Sequence, residues 1–162
     1  MAPTTNDQKA TLTLPSDSQV LVTREFNAPR HLVYRAWTTP ELIRRWWHAN
    51  RGEITVAEVD LRVGGRWRYA MTTPNGEEVA FHGEYREVVP DERLVSTEVF
   101  EGAPDAESLS TVTFGDNGDR TVASILVDYG TRQIRDMVLA TGMEDGLQDA
   151  LGLLEEAARS LA

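Results

Sequence analysis

Residues 66–85 read RWRYAMTTPNGEEVAFHGEY. Trp67, Tyr69 and Met71 alternate with Arg66 and Arg68, and a period of two marks a strand with one face turned inward. After Pro74-Asn75-Gly76 the alternation resumes, with Val79, Phe81, Gly83 and Tyr85 opposite His82, Glu84 and Arg86. Asn and Gly both tolerate the positive φ of a tight turn, so the stretch is a hairpin. Its two strands bring Trp67, Tyr69, Phe81 and Tyr85 to one face.

The same punctuation continues outward from this hairpin. Gly64-Gly65, Pro90-Asp91, Gly102 to Asp105 and Asp116-Asn117-Gly118 divide the chain into six strands, at about 53–62, 66–73, 77–89, 93–100, 108–114 and 121–128. Upstream, Val20, Val22 and Phe26 alternate with Leu21, Thr23 and Glu25 and add a first strand over 19–26. Two short helices follow it. Pro29 suits a first helical position ahead of Leu32, Val33, Ala36 and Trp37, and Thr39-Pro40-Glu41 restarts the signal through Leu42, Ile43, Trp46 and Trp47. Seven strands joined mainly by hairpins must curl. From 131 to 161, Met137, Ala140, Met143, Leu147, Ala150, Leu151, Leu154, Ala158 and Leu161 repeat at helical spacing. This predicts one long C-terminal helix of about 45 Å, enough to cross the concave face of the sheet. Residues 1–18 mix Thr, Asn, Asp, Ser and Pro without periodicity, which predicts a flexible tail ahead of a single α+β domain over 19–162.

Length and charge narrow the function. The 162 residues suit one domain with a real core. With 26 acidic and 16 basic side chains, the net charge of −10 argues against a nucleic-acid or anionic-membrane surface. The acids gather between Glu84 and Asp119, ten against two Arg, while Arg24 to Arg51 holds six Arg against two Glu. No cysteine is present, which removes thiolate chemistry, disulfides and cysteine-based metal centres. Residues 1–19 lack the order of a secretory signal and no apolar run approaches a membrane span, so a cytoplasmic location is expected.

A helix lying over four aromatic rings describes either an ordinary core or a cavity. Gly142, Gly146 and Gly152 in the last helical stretch each cost up to about 1 kcal/mol relative to Ala. A kink, a close approach or room for a ligand would offset that cost. A curled sheet and a straight helix also cannot touch along their full length, and an aromatic-lined gap is the usual form of a small-molecule site.

Several strings carry a family resemblance. They are Phe26-Asn27-Ala28-Pro29 with Val33-Tyr34-Arg35-Ala36-Trp37, Pro40-Glu41-Leu42 leading to Trp46-Trp47, and Asp60-Leu61-Arg62-Val63-Gly64-Gly65-Arg66-Trp67. Gly83-Glu84-Tyr85 before Val89-Pro90, and Thr141-Gly142-Met143-Glu144-Asp145-Gly146, complete the set. Over about 19–161 the chain resembles the SRPBCC (START-like, Bet v allergen-like) superfamily, in its activator of Hsp-90 ATPase homologue branch. The resemblance implies a helix-grip fold with a deep apolar pocket between sheet and C-terminal helix, and no metal or nucleotide required for folding. Relatives elsewhere in the superfamily bind lipids, hormones or polyketides, or act as aromatases and cyclases.

The leading expectation is a carrier or sensor for a small hydrophobic or aromatic molecule. Trp67, Tyr69, Phe81 and Tyr85 form its wall, Met137, Met143 and Leu147 its lid, and Trp46 and Trp47 close one end. His31, His48 and His82 have no metal-ligand spacing, and no hydrolase or nucleotide-binding signature occurs. No cofactor and no catalytic residue is therefore assigned. An enzyme reading, a polyketide-type cyclase or hydrolase, would use a buried carboxylate or histidine, with Glu98, Asp145 and His48 as candidates. A third reading is a module that docks on a chaperone through surface charge.

Overall fold

The computed structural model describes residues 9–162. Eight strands form one antiparallel sheet: β1 (Thr11–Thr13), β2 (Gln19–Phe26), β3 (Glu53–Val59), β4 (Arg66–Thr72), β5 (Glu78–Val89), β6 (Arg93–Phe100), β7 (Glu107–Asn117) and β8 (Arg120–Asp128). Their spatial order is β1-β2-β8-β7-β6-β5-β4-β3. Helices α1 (Arg30–Thr38) and α2 (Pro40–Ile43) link β2 to β3, and α3 (Arg132–Leu139) and α4 (Met143–Arg159) follow β8.

Two expectations are corrected. The sheet has eight strands instead of seven, because Thr11–Thr13 pairs with β2, Thr11 opposite Thr23 and Thr13 opposite Leu21. Three residues are too few to display a period, and their partners come from elsewhere. Ala10 adds a second tie: its N–H donates to Gln148 Oε1 at 2.9 Å, and Gln148 Nε2 donates back to its carbonyl at 2.8 Å. The flexible stretch expected over 1–18 therefore does not hold at β1; its first eight residues lie outside the described ones.

The C-terminal helix is two helices. Gly142 sits at φ +80° as the residue before α4, a left-handed conformation that interrupts a right-handed helix. Thr131 caps α3 by accepting from the Ile134 N–H at 3.1 Å. Helix α4 has 17 residues and so spans only about 25 Å. The period of 3.6 continues in the sequence across Gly142, but the backbone does not follow it.

Cross-strand register assigns the faces. Trp67 lies opposite Gly83, Tyr69 opposite Phe81 and Met71 opposite Val79, as the alternation requires. The row through Leu94, Val112, Ile125 and Val22 runs along the same inner face. A bulge between Tyr85 and Glu87 shifts the phase of β5, so that Tyr85 pairs with Ser96 and Val88 with Leu94 on one side.

Coverage of the inner face is uneven. Val20, Val22, Phe26, Phe114 and Ala123 pack into one core with Leu32, Val33 and Ala36 of α1 and Leu151, Leu154, Ala157 and Ala158 of α4, all buried. Toward β4, β5 and β6 the same face holds Tyr69, Met71, Phe81, Ser96 and Glu98, all half-buried. On the helices, Ile134, Val138, Leu139, Met143 and Leu147 are half-buried too. Burial is mixed along the inner face: Trp67, Tyr85 and Leu94 are buried on β4–β6, and Ile125 and Val127 are half-buried on β8.

Candidate functional site

Four rings expected at the wall stand together. Trp67 and Tyr69 lie 4.7 Å apart by ring centroids, and Trp47 meets Tyr69 at 5.6 Å and Phe81 at 5.7 Å in edge contacts. Phe81 also touches Phe100 at 5.1 Å. Tyr85, buried next to them on β5, shares a hydrogen bond with Tyr69. Such edge and tilted contacts suit the ring quadrupole and fix each ring's orientation.

The neighbouring residue Trp46 plays a different part. Its indole N–H donates to the Ala36 carbonyl at 2.9 Å and its ring packs on Trp37, so it fixes the chain after α2 against α1. Met143 and Leu147 are half-buried on α4. Met137 is 63% exposed on α3 and points away from the interior. The stripe that grouped it with Met143 and Leu147 passes through Gly142, where the helical phase is lost.

Among the three acid-base candidates, only Glu98 faces inward. It shares the face of Phe81 and Tyr85, across from Ser108 on β7. Burial pushes its carboxyl up to about 7, because a charged carboxylate loses hydration there without a paired cation. Burial likewise raises Tyr69 well above the ordinary range, with further contributions from Tyr85 and Glu98, and pushes Tyr85 up to about 12. Tyr129, just past β8, is raised by burial and by Glu98. Neutral hydroxyls and a carboxyl easily kept neutral thus stand among the apolar side chains of the interior.

The other two candidates serve elsewhere. His48 Nδ1 accepts from the Asn50 N–H at 2.9 Å and caps its own turn. Asp145 is exposed in the first turn of α4, where it borders a polar groove of about 730 Å³ between Ala10 and α4. On the outer face, Arg68 holds Glu101 through two hydrogen bonds of 2.9 and 3.0 Å, and His82 Nδ1 lies 2.9 Å from the same carboxylate. Arg68, then His82, bring Glu101 down to about 2. Among the described residues no cluster of three His, Asp or Glu is arranged for a metal ion, and no helix is long and apolar enough to cross a membrane.

The alternation of β6 obscured Glu98. Its outer parity, Arg93, Val95, Thr97 and Val99, is as apolar as its inner one, Leu94, Ser96, Glu98 and Phe100, so the pattern of this strand alone does not choose a face.

Solved structures share this architecture. A protein from Rhodobacter sphaeroides superposes with a TM-score of 0.87 at 24% identity, covering 94% of this chain and 99% of its own. One from Mycobacterium smegmatis gives 0.83 at 25% identity, covering 94% and 99%. A Chromobacterium violaceum protein gives 0.72 at 27% identity, covering 85% and 95%. No curated protein matches the sequence significantly. Residues 27–159 match the family described as Activator of Hsp90 ATPase homolog 1-like protein. This match spans both helices after β2, the aromatic hairpin, Glu98 and all of α4, and the chain belongs to that family, within the SRPBCC superfamily.

Proposed function

We propose that this chain is a cytoplasmic carrier or sensor that holds one small hydrophobic or aromatic molecule between the inner face of β4–β6 and helices α3 and α4. The observation that carries the reading is the pairing of half-buried surfaces. Tyr69, Met71 and Phe81 on the inner face of the sheet and Val138, Leu139, Met143 and Leu147 on the helices are all half-buried. Apolar side chains with water access on two facing layers gain from an apolar occupant. Folds of this family commonly hold hydrophobic ligands, which supports the same reading.

Titration with ethylnaphthalene, followed by tryptophan emission, tests it. Saturable binding of one molecule per chain is expected, weakened about tenfold by Phe81→Ala or Trp47→Ala and unchanged by Met137→Ala. Failure of every neutral naphthalene to bind would overturn the proposal.

A second reading, an acid-base enzyme of the cyclase or hydrolase type, rests on Glu98 alone. Turnover of an aromatic polyketide-like ester that disappears in Glu98→Gln would establish it. The family's description also brings a chaperone partner into view. Stimulation of the ATPase of an Hsp90 by this chain would place function on its surface instead of its interior.

A further inference from the structure

We propose that Trp67 Nε1 and the Glu98 carboxyl form a two-point anchor for a single ligand oxygen, and that the ligand is a neutral aromatic or alicyclic carbonyl compound. The inference rests on the binding reading above and narrows it to a chemical class.

Trp67 and Glu98 occupy one row across the sheet. Trp67 pairs with Gly83. Gly83 in turn falls opposite Glu98, one step along from the pair of His82 and Val99. Glycine is required between them: a Cβ at Gly83 would lie 2.7 Å from Trp67 Nε1 and 1.9 Å from the Thr97 carbonyl oxygen. The indole N–H edge therefore lies over a residue without a side chain, one strand away from the carboxyl.

Trp67 is 7% exposed, and its N–H is buried with no hydrogen-bond partner. Buried donors are nearly always paired, so an orphan on the inner face marks a place where a ligand acceptor fits. Glu98 is the second polar group, half-buried on the same row. Without a cation beside it, its burial favours the protonated form, which donates an O–H. The remaining titratable groups toward this row are Tyr69, Tyr85 and Tyr129, all neutral, and Tyr69 and Tyr85 are bonded to each other.

Two donors on one row of the inner face select an acceptor with two lone pairs, and a carbonyl oxygen has that form. An ammonium group would suit an ionised Glu98 but would oppose the indole N–H. A carboxylate would suit the indole but would meet Glu98 with no positive side chain to offset its desolvation. The apolar walls exclude neither ion by shape; the anchor excludes both by charge.

The test compares three probes of one size: acetylnaphthalene, ethylnaphthalene and naphthylethylamine, titrated at pH 6 against wild type, Trp67→Phe, Glu98→Gln and Glu98→Leu. Wild type is expected to prefer the ketone over the hydrocarbon by about tenfold. Trp67→Phe and Glu98→Leu should each abolish most of that preference, and Glu98→Gln, which retains a neutral donor, should keep it. Circular dichroism at the same pH confirms that each variant is folded, and the two conservative variants carry the test if Glu98→Leu is not. Equal binding of ketone and hydrocarbon by wild type would overturn the anchor while leaving the cleft intact. Strongest binding of the amine would also overturn it. Failure of all three probes would instead remove the binding reading on which it rests.

Discussion

Arg24 on β2 donates through Nη1 to Glu155 Oε1 on α4 at 3.1 Å, and the two side chains are 2% and 0% exposed. The same carboxylate oxygen accepts the Asn27 N–H at 2.8 Å, and the guanidinium lies 4.6 Å from the centroid of the Phe26 ring. This ion pair ties β2 to α4. Breaking a buried pair leaves one charge without compensation. Arg24→Met or Glu155→Gln should each lower stability by about 3–5 kcal/mol in urea unfolding. The double variant Arg24→Met/Glu155→Leu should cost less than either single change, since no stranded charge remains; additive losses would refute that coupling.

Glu98 predicts a dependence on pH of unusual sign. Its folded value of about 7 exceeds the 4.5 of the free carboxyl, so the folded state holds a proton that the unfolded state has released. The associated stability is complete below pH 4.5 and is lost as pH rises through 7. Glu98→Gln, neutral at every pH, should match wild type near pH 4.5 and exceed it by on the order of 2–3 kcal/mol at pH 8. Thermal melts of both proteins across that range supply the comparison, and parallel curves would place the Glu98 carboxyl in water.

Gly83→Ala tests the close approach beneath Trp67. The added methyl meets the Thr97 backbone, which cannot rotate away, so a loss of about 2–3 kcal/mol is expected from overpacking. Tryptophan emission should shift as the indole is displaced. An unchanged melting temperature and spectrum would contradict the packing described.

Gly142→Ala probes the break between α3 and α4 by a different mechanism. Nothing lies within 4 Å of an added Cβ there, so the cost is backbone strain at φ +80° alone, about 1–2 kcal/mol. A stabilised variant would mean that the two helices prefer to fuse.

The hairpin around Asn75-Gly76 was fully legible because the interior accepts only one phase of its alternation. Trp67, Tyr69, Phe81 and Tyr85 are bulky, and turning them outward would expose four rings. Glu98 was illegible for the opposite reason. Ser96 and Glu98 face inward and are half-buried, whereas small outward residues such as Ala70 and Ala80 are buried. The Arg24–Glu155 pair was hidden by a separation of 131 residues, since neither charge reveals that it has a partner. Strand β1 and the break at Gly142 depend on tertiary contacts and on one dihedral angle, neither of which a hydrophobic period records.

The ends of the sheet have a consequence for how copies of this protein meet. An open sheet offers unpaired N–H and C=O groups at both margins, which invite strands from other molecules. Here one margin is β1, only three residues long and stapled to α4 through Ala10 and Gln148. The other is β3, irregular between Ile54 and Val56 and carrying exposed Glu53 and Glu58. Neither offers a long flat template, which disfavours strand-by-strand growth into fibres at both margins.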